Sequence, residues 1–409
     1  MKRFVYMLII FLLTCTALTG CWSRRELNDL AIAIAIGIDK AEDGQYLVST
    51  QIVNPGEIAA KTGGGGGAKY TPVTTYQAKA GSIMEGMRKL TTVSPRKIYV
   101  AHIRMLVIGE ELAREGIKDV LDFFSRDHEF RTDFFIVVAK EDRAEEVLST
   151  LTQLEKIPAN KMFASLEMSE KSWAPTKGVF LDELISNLVS EGIEPVLTAI
   201  TVIGDEEIGA SSENVHEIKP PAELRYENLG VFKKDKLIGW LDKNESKGFN
   251  YIIGNVTNTV GPLSCPKGGE IITEQIRTKA DIKGKVKNGK PEITVDIWAE
   301  SNIAEVNCQI DLTKPETVTE LEHIANKRVK EVANIAINKA QKELQSDIFG
   351  FGEAIHRADP KEWKKLKKNW DETFTQLPVH VKSNFKIRRL GTVGNSFLEE
   401  MKTDKEEKE

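Results

Sequence analysis

The first nucleophile in the chain that could do chemistry is a thiol. Leu18-Thr19-Gly20-Cys21 closes the opening stretch MKRFVYMLIIFLLTCTALTGCWSRREL, in which Lys2 and Arg3 precede an unbroken apolar run from Phe4 to Leu13. A bilayer-spanning helix needs about 20 apolar residues. This run is too short for that, and its flanks are those of a secretory signal peptide. Small residues then lead straight into Cys21, which could be a structural thiol, half of a disulfide, or the point where a leader is cut away. Of the four cysteines, Cys15 lies inside the leader, so Cys265 and Cys308 remain for the folded chain. They could pair in an extracytoplasmic compartment. Equally, they could stay as two buried thiols, because cysteine is among the most buried residue types.

Other constellations that carry catalysis are missing or incomplete. The six histidines are scattered, with no His-Glu-x-x-His and no Gly-x-Ser-x-Gly. No Cys/His spacing reads as a zinc site. Fragments of a penicillin-interacting serine site occur as Ser94-Pro95-Arg96-Lys97, Ser212-Glu213-Asn214 and Lys61-Thr62-Gly63. Their order is wrong, and Ser94 precedes a strand rather than sitting on the helix that would hold serine and lysine one turn apart. No catalytic residue, metal ligand or cofactor site is therefore expected, and the chain is read as a non-enzyme.

Leu18-Thr19-Gly20-Cys21 resembles the lipobox of bacterial lipoproteins. That chemistry needs a thiol nucleophile at the cut, two small residues before it and an aliphatic residue before those, and all are present. The resemblance implies a diacylglyceryl group on Cys21, cleavage just before it, and removal of residues 1–20 as signal peptide. Two acyl chains contribute about 0.8 kcal/mol per buried CH₂, enough for stable anchoring where one chain is marginal. Losing Lys2 and Arg3 takes the formal charge from −5 to −7. A mildly acidic chain does not suit a general nucleic-acid binder, which would carry a basic excess.

The elements that must position these groups fall into two unlike halves. In the first, residues 21–205, Ala31-Ile-Ala-Ile-Ala-Ile-Gly-Ile-Asp39 alternates with period two and reads as a buried strand with its isoleucines on one face. Gln45 to Val53 pairs with it across a turn, and Gly63 to Gly67 reads as a surface loop, since glycine loses the most backbone entropy on ordering. Strands are expected at 72–80, 100–108, 133–139 and 195–203, and helices at 82–90, 110–124, 143–151 and 181–189. Residues 206–222, rich in acidic, Ser, Gly and Pro residues, read as a linker. The second half, 223–395, shows strands at 229–232, 236–240, 251–260, 271–283 and 293–303. One long helix follows over 316–345, with Val318, Leu321, Ala325, Val329, Val332, Ala336, Ala340 and Leu344 on one stripe. The fold class expected is α+β: intermixed strands and helices first, then a mainly antiparallel sheet packed by the long helix. Residues 396–409 form a charged tail.

Two charged segments stand out. Arg126-Asp127-His128-Glu129-Phe130-Arg131 reads as an ion-paired junction between helix and strand, or as a polar surface for another protein. Trp363, Leu366 and Trp370 share one helical face ringed by Lys361, Lys364, Lys365, Lys367 and Lys368. Such a face can dock onto its own domain or lie on an anionic membrane surface.

With these residues laid out, the chain resembles the Ger(x)C family of spore germination lipoproteins. The likeness starts at Gly20-Cys21-Trp22-Ser23-Arg24-Arg25-Glu26-Leu27 and runs through Gly37-Ile38-Asp39. It continues in Ala101-His102, Val107-Ile108-Gly109-Glu110-Glu111 and Ala113-Arg114-Glu115-Gly116-Ile117, and in the Arg126 to Arg131 cluster. In the second half it is carried by Glu227 to Leu241, by Asp347-Ile-Phe-Gly350-Phe-Gly352-Glu353, and by His356-Arg357, Pro360 and Trp363. Ser23 stands where an aspartate is common. The resemblance implies a C subunit of a nutrient germinant receptor, held on the outer face of the spore inner membrane beside polytopic A and B subunits. Ligand recognition is attributed mainly to those partners, so no nutrient-binding residue is assigned. The competing class is an extracytoplasmic solute-binding lipoprotein delivering a nutrient to a permease; such proteins usually show two similar lobes, and these halves differ. A cell-wall enzyme is a third class.

Overall fold

The computed structural model describes residues 27–59, 70–266 and 268–390, together with a short helical stretch at 3–7 and residue 9. Cys21, the Gly63 to Gly67 run, the Lys61-Thr62-Gly63 fragment and the tail lie outside the described residues. Two mixed sheets organise the rest. The larger holds β1 (Leu30–Lys40), β2 (Tyr46–Val53), β3 (Val73–Ala80), β4 (Lys97–Tyr99), β5 (Met105–Gly109), β6 (Phe135–Ala139), β7 (Val196–Gly204), β8 (Ala222–Lys233) and β9 (Lys236–Trp240). Their order is β3-β2-β1-β5-β6-β7-β8-β9, with β4 beside the first residues of β1. Strands β1, β5, β6 and β7 run parallel, and antiparallel hairpins flank them on both sides.

β1 is buried as its alternation predicts, with one departure. A bulge between Ala33 and Ala35 shifts its register against β2, and a bulge turns the following residues over. Ile36 and Ile38 face one core, with Val120, Leu121 and Phe124, whereas Ile34 faces the other, with Val147, Met162 and Leu166. The isoleucines therefore serve both faces. Helices Glu110–Glu115, Lys118–Arg126 and Leu181–Val189 cover the first face, and Ala144–Ser149 and Pro158–Ser172 the second. The single helix expected over 110–124 is broken at Gly116, whose φ of 144° suits glycine alone. Of the strand expected over 100–108 only the end forms, as β5 from Met105, and residues 100–104 are a turn that links it to β4.

Residues 206–222 are folded onto the large sheet. The amide of buried Asn214 donates to the carbonyls of Leu151 (2.8 Å) and Ala222 (3.1 Å), and its Oδ1 accepts from the Ala222 N–H at 2.8 Å. Beyond them β8 pairs antiparallel with β7, so the large sheet continues to Trp240.

The second sheet comprises β10 (Thr259–Ser264), β11 (Glu270–Lys287), β12 (Lys290–Asn307) and β13 (Val379–Arg389), antiparallel except that β12 and β13 run parallel. Helix Pro315–Asn338 lies on it, burying Leu321, Ala325, Val329, Val332 and Ala336 of the expected stripe, and a π-helical turn carries the chain on to Leu344. The strand expected over 251–260 is instead the end of helix Lys243–Ile253 and a loop, and only Thr259 and Val260 are strand, where β10 starts. Asp242 caps that helix with Glu245 in a reciprocal box, and Gly254 ends it at φ 73°. Phe249, Tyr251 and Ile252 are all buried there, so a short apolar run imitated a strand. Cys265 and Cys308 form a disulfide across a separation of 43 residues. In the chain-entropy account, closing a loop of that size stabilises by about 4 kcal/mol.

Candidate functional site

The sequence-predicted lipidation site, Cys21, precedes the first described residue of the folded chain, Leu27, by six positions. Residues Leu27–Asp29 make one 3₁₀ turn and lead directly into β1. What the structure does place are the other shared blocks, and it brings segments far apart in sequence to two meeting points.

At the first, Glu110 opens a helix at the end of β5 and faces the β8–β9 hairpin. Its Oε1 accepts from Trp240 Nε1 at 3.2 Å and from Arg114, while its Oε2 accepts from the Glu141 N–H at 2.9 Å. Burial acts to raise this carboxyl's pKa, but the three donors and the Arg114 charge outweigh it and hold the group below its ordinary value. Lys140 sits 5.7 Å over the Trp240 ring and 2.8 Å from Glu227. The Ile117 N–H donates to the Asp235 carbonyl at 2.9 Å, and a Cβ on Gly116 would meet the Asp235 carboxylate at 2.6 Å. Helix 110–115 is thus clamped to both ends of the hairpin.

Beneath this lies Asp39, at the end of β1. Its buried carboxylate accepts from the N–H groups of Ala144 (2.8 Å) and Glu145 (3.1 Å), the free donors that open helix Ala144–Ser149. A Cβ on Gly109 would come within 2.2 Å of Asp39 Oδ1, which explains a glycine there. Burial pushes the Asp39 pKa up to about 6, against the pull of its two donors and Arg143. A raised folded pKa means that the folded state holds the proton more tightly, so this group's contribution to stability is lost as pH rises from about 4 through about 6. The advantage of the native chain over Asp39→Asn in denaturant melts is expected to be largest near pH 4 and to shrink toward pH 7. A pH-independent difference would exclude this.

At the second meeting point Asp347 is buried, with 4% of its surface exposed. Its carboxylate accepts from the Phe351 N–H (3.1 Å), the Gly352 N–H (2.8 Å) and Trp370 Nε1 (3.0 Å), and its carbonyl accepts from the Glu194 N–H at 2.8 Å. Burial pushes its pKa up to about 7 in spite of these donors. Gly192 and Gly352 touch backbone to backbone: a Cβ on Gly192 would lie 2.6 Å from the Glu353 nitrogen. This answers the question posed by the basic amphipathic segment. Trp363 and Trp370 are buried against each other with ring centroids 5.0 Å apart, and Lys367 pairs with Glu191 at 2.7 Å. The tryptophan stripe docks onto its own chain.

The remaining candidates resolve into structural roles. Arg126 pairs bidentately with Asp122 and Arg131 with Asp133, while Lys97 reaches Glu129 at 2.6 Å and Phe130 packs edge-on against Phe124. Ser94 and Ser212 do line one cavity of about 1370 Å³, with Asn54, Arg96 and His216. Yet the Ser94 hydroxyl donates to the Arg96 carbonyl at 2.8 Å, and Lys97 is taken by Glu129. Asp142, Glu146 and Glu206 bring three carboxylate oxygens within 4.8 Å of one another. Asp142 already accepts from Thr201 Oγ1 and the Val202 N–H, and Glu146 from the Arg143 N–H. Sequence reasoning passed over Asp39 and Asp347 as functional groups. The signal for both was their place in the blocks that carry the family resemblance, Gly37-Ile38-Asp39 and Asp347-Ile348-Phe349-Gly350.

The chain is thus a mixed α/β protein of two sheets in which Asp39 and Asp347 each accept from backbone N–H groups. Two family models match it: the spore germination protein N-terminal domain over residues 23–202, and the spore germination B3/GerAC-like C-terminal domain over residues 227–391. The chain is 34% identical to spore germination protein KC of Bacillus subtilis (strain 168), over 99% of this chain and 100% of that one. It is 29% identical to the spore germination protein YfkR of the same organism, over 93% of this chain and 95% of the other. The crystal structure of the GerBC protein superposes with a TM-score of 0.52 at 20% identity, covering 86% of this chain and 96% of that one, which establishes a shared fold. The chain belongs to the spore germination B3/GerAC-like family, the family its sequence resembles. Among the described residues, no helix is long and apolar enough to cross a membrane.

Proposed function

We propose that the chain is a lipid-anchored subunit of a spore nutrient germinant receptor, held on the outer face of the spore inner membrane and assembled with membrane-embedded A and B subunits. The observation that carries this is similarity over essentially the whole length to a spore germination protein, in a chain whose Leu18-Thr19-Gly20-Cys21 meets each chemical requirement for diacylglyceryl attachment. On this reading Cys21 is the modified residue and its acyl chains hold the chain to the membrane after cleavage.

The geometry of the tether follows. Leu27 stands six positions after Cys21, and at about 3.5 Å per extended residue that stretch reaches roughly 20 Å. The start of β1 is then held close to the lipid headgroups. Around it stand Tyr70 and Leu154, both on the rim of the large cavity that Ala31 also lines, with 74% and 108% of their surfaces exposed.

The test is isolation of the tagged chain from detergent-solubilised spore membranes, with cross-linking before lysis. Polytopic partners are expected to co-purify and to cross-link at a defined face. Recovery of the lipidated chain alone, with no membrane protein cross-linked, would defeat the receptor-subunit reading while leaving the anchor intact.

A further inference from the structure

A second cavity, of about 300 Å³, lies between helix Lys243–Ile253, the edge strand β10 and helix Pro315–Asn338. Three cations converge on it: Lys243, Lys247 and Arg328. No aspartate or glutamate is among the described residues that line it. Its walls are otherwise apolar or neutral, with Tyr251 and Phe385 almost fully buried and Trp173 at the mouth.

The cations lack adequate counter-charge. Lys247 Nζ donates to the Val260 carbonyl at 2.7 Å, a neutral acceptor. Lys243 lies 4.5 Å over the Trp173 ring. Arg328 reaches Glu331 at 3.5 Å, a carboxylate also approached by Lys327 at 4.0 Å. The acids nearest in sequence, Asp242 and Glu245, are spent on each other's backbone N–H in the helix cap. Burial lowers the Lys247 pKa to about 8, and repulsion from Lys243 and Arg328 adds to it. Gathering like charges at a partly desolvated wall is costly unless something of opposite charge occupies the space.

The cavity is also held in shape. A Cβ on Gly248 would come within 2.3 Å of the Val332 carbonyl, so the two helices cross in backbone contact. The Tyr251 hydroxyl donates to Gln275 Oε1, tying the helix to β11. Ligand cavities run from about 300 to 1,000 Å³, so this one suits a compact molecule of a single ring or a short chain.

We propose that this cavity is a binding site for a small anion, a carboxylate or phosphate held by Lys243, Lys247 and Arg328 with its body against Trp173 and Tyr251. It is independent of how the chain is anchored or which partners it meets. Lys247 supplies a half-buried charge, Arg328 a planar donor from the facing helix, and Lys243 closes the mouth.

The test uses the full lipidated chain in detergent, with ionic strength fixed by sodium chloride. Benzoate and inorganic phosphate are titrated separately, following thermal unfolding and tryptophan emission. Saturable stabilisation by either anion over chloride is expected; benzoate alone identifies a carboxylate site and phosphate alone a phosphate site. Lys247→Met should weaken binding at least tenfold. Should that variant fold poorly for want of its bond to Val260, Lys243→Gln with Arg328→Gln, both partly exposed, should weaken it by a similar factor. Lys339→Gln, outside the cavity, should not. No saturable effect of either probe over chloride, or unchanged binding in the double variant, overturns the proposal.

Discussion

Cys21→Ala is expected to leave the chain uncut, without a diacylglyceryl group, and to impair germination through its receptor. The size of the effect follows from how little else could hold the chain to a membrane. Each buried CH₂ contributes about 0.8 kcal/mol, so two long acyl chains give stable attachment where one is marginal. No helix among the described residues is long and apolar enough to span, and the tryptophan face that could have lain on lipid is buried within the fold. The uncut leader retains only the run from Phe4 to Leu13, well short of the roughly 20 residues a span requires. Intact-mass analysis of the N-terminal peptide and nutrient-triggered germination read out the two halves of the expectation. A second variant, with residues 1–20 replaced by a leader of the ordinary cleaved kind and Cys21→Ala, should be cut and released from the membrane. Normal processing of Cys21→Ala, or normal germination of the released form with all nutrients, would sink the anchoring argument.

Much of the fold could be read from local pattern, because local pattern is what burial imposes on single elements. The alternation in Ala31 to Asp39 marks β1, and the three-to-four spacing from Leu321 to Ala336 marks the long helix that covers the second sheet. What local pattern could not supply is pairing at a distance. Residues 206–222 look like a linker by composition, yet β8 beyond them is held to β7 by backbone bonds that leave no compositional trace. The bulge at Ala33 to Ala35 is invisible for the same reason, since it is defined against β2. The disulfide depended on geometry that only the packed sheet provides. The cation-lined cavity joins Lys243 and Lys247 to Arg328, some eighty residues on, through a helix crossing that one glycine permits. Asp242 and Glu245, by contrast, have the spacing of a capping box, a local helix-start signal that the apolar run after them masks.

Asp347→Ala is expected to be the most damaging single change inside the folded chain, and two opposed terms decide its size. Removing the carboxylate strands the Phe351 and Gly352 N–H groups and the Trp370 indole, each of which loses its acceptor in a buried place. An unmet buried donor costs about 1–3 kcal/mol, more where the partner was charged. Against this, the variant no longer buries a charge, and a pKa raised from 3.8 to about 7 shows that burial already disfavours that charge. Since one pKa unit corresponds to about 1.4 kcal/mol, the relief is of the same order as one or two lost bonds. The donors outnumber it, and a net loss on the order of 3 kcal/mol at pH 7 is expected, a large share of a typical ~5–15 kcal/mol. The sign of the pH dependence separates the terms. The folded state binds the proton more tightly, so the native chain's advantage over Asp347→Ala is greatest near pH 4 and declines as pH rises through about 7. Denaturant midpoints at pH 4, 5.5 and 7 measure it, and near-ultraviolet circular dichroism reports whether the Trp363–Trp370 pair keeps its packing. Gly192→Ala attacks the same contact from the large-sheet side, because its methyl would strike the Glu353 nitrogen. It should loosen residues 346–375 without touching the carboxylate or its pH dependence. An Asp347→Ala midpoint equal to the native one at every pH would mean that the three donors find other acceptors, and that this carboxylate does not fasten Trp370 to the Phe351–Gly352 turn.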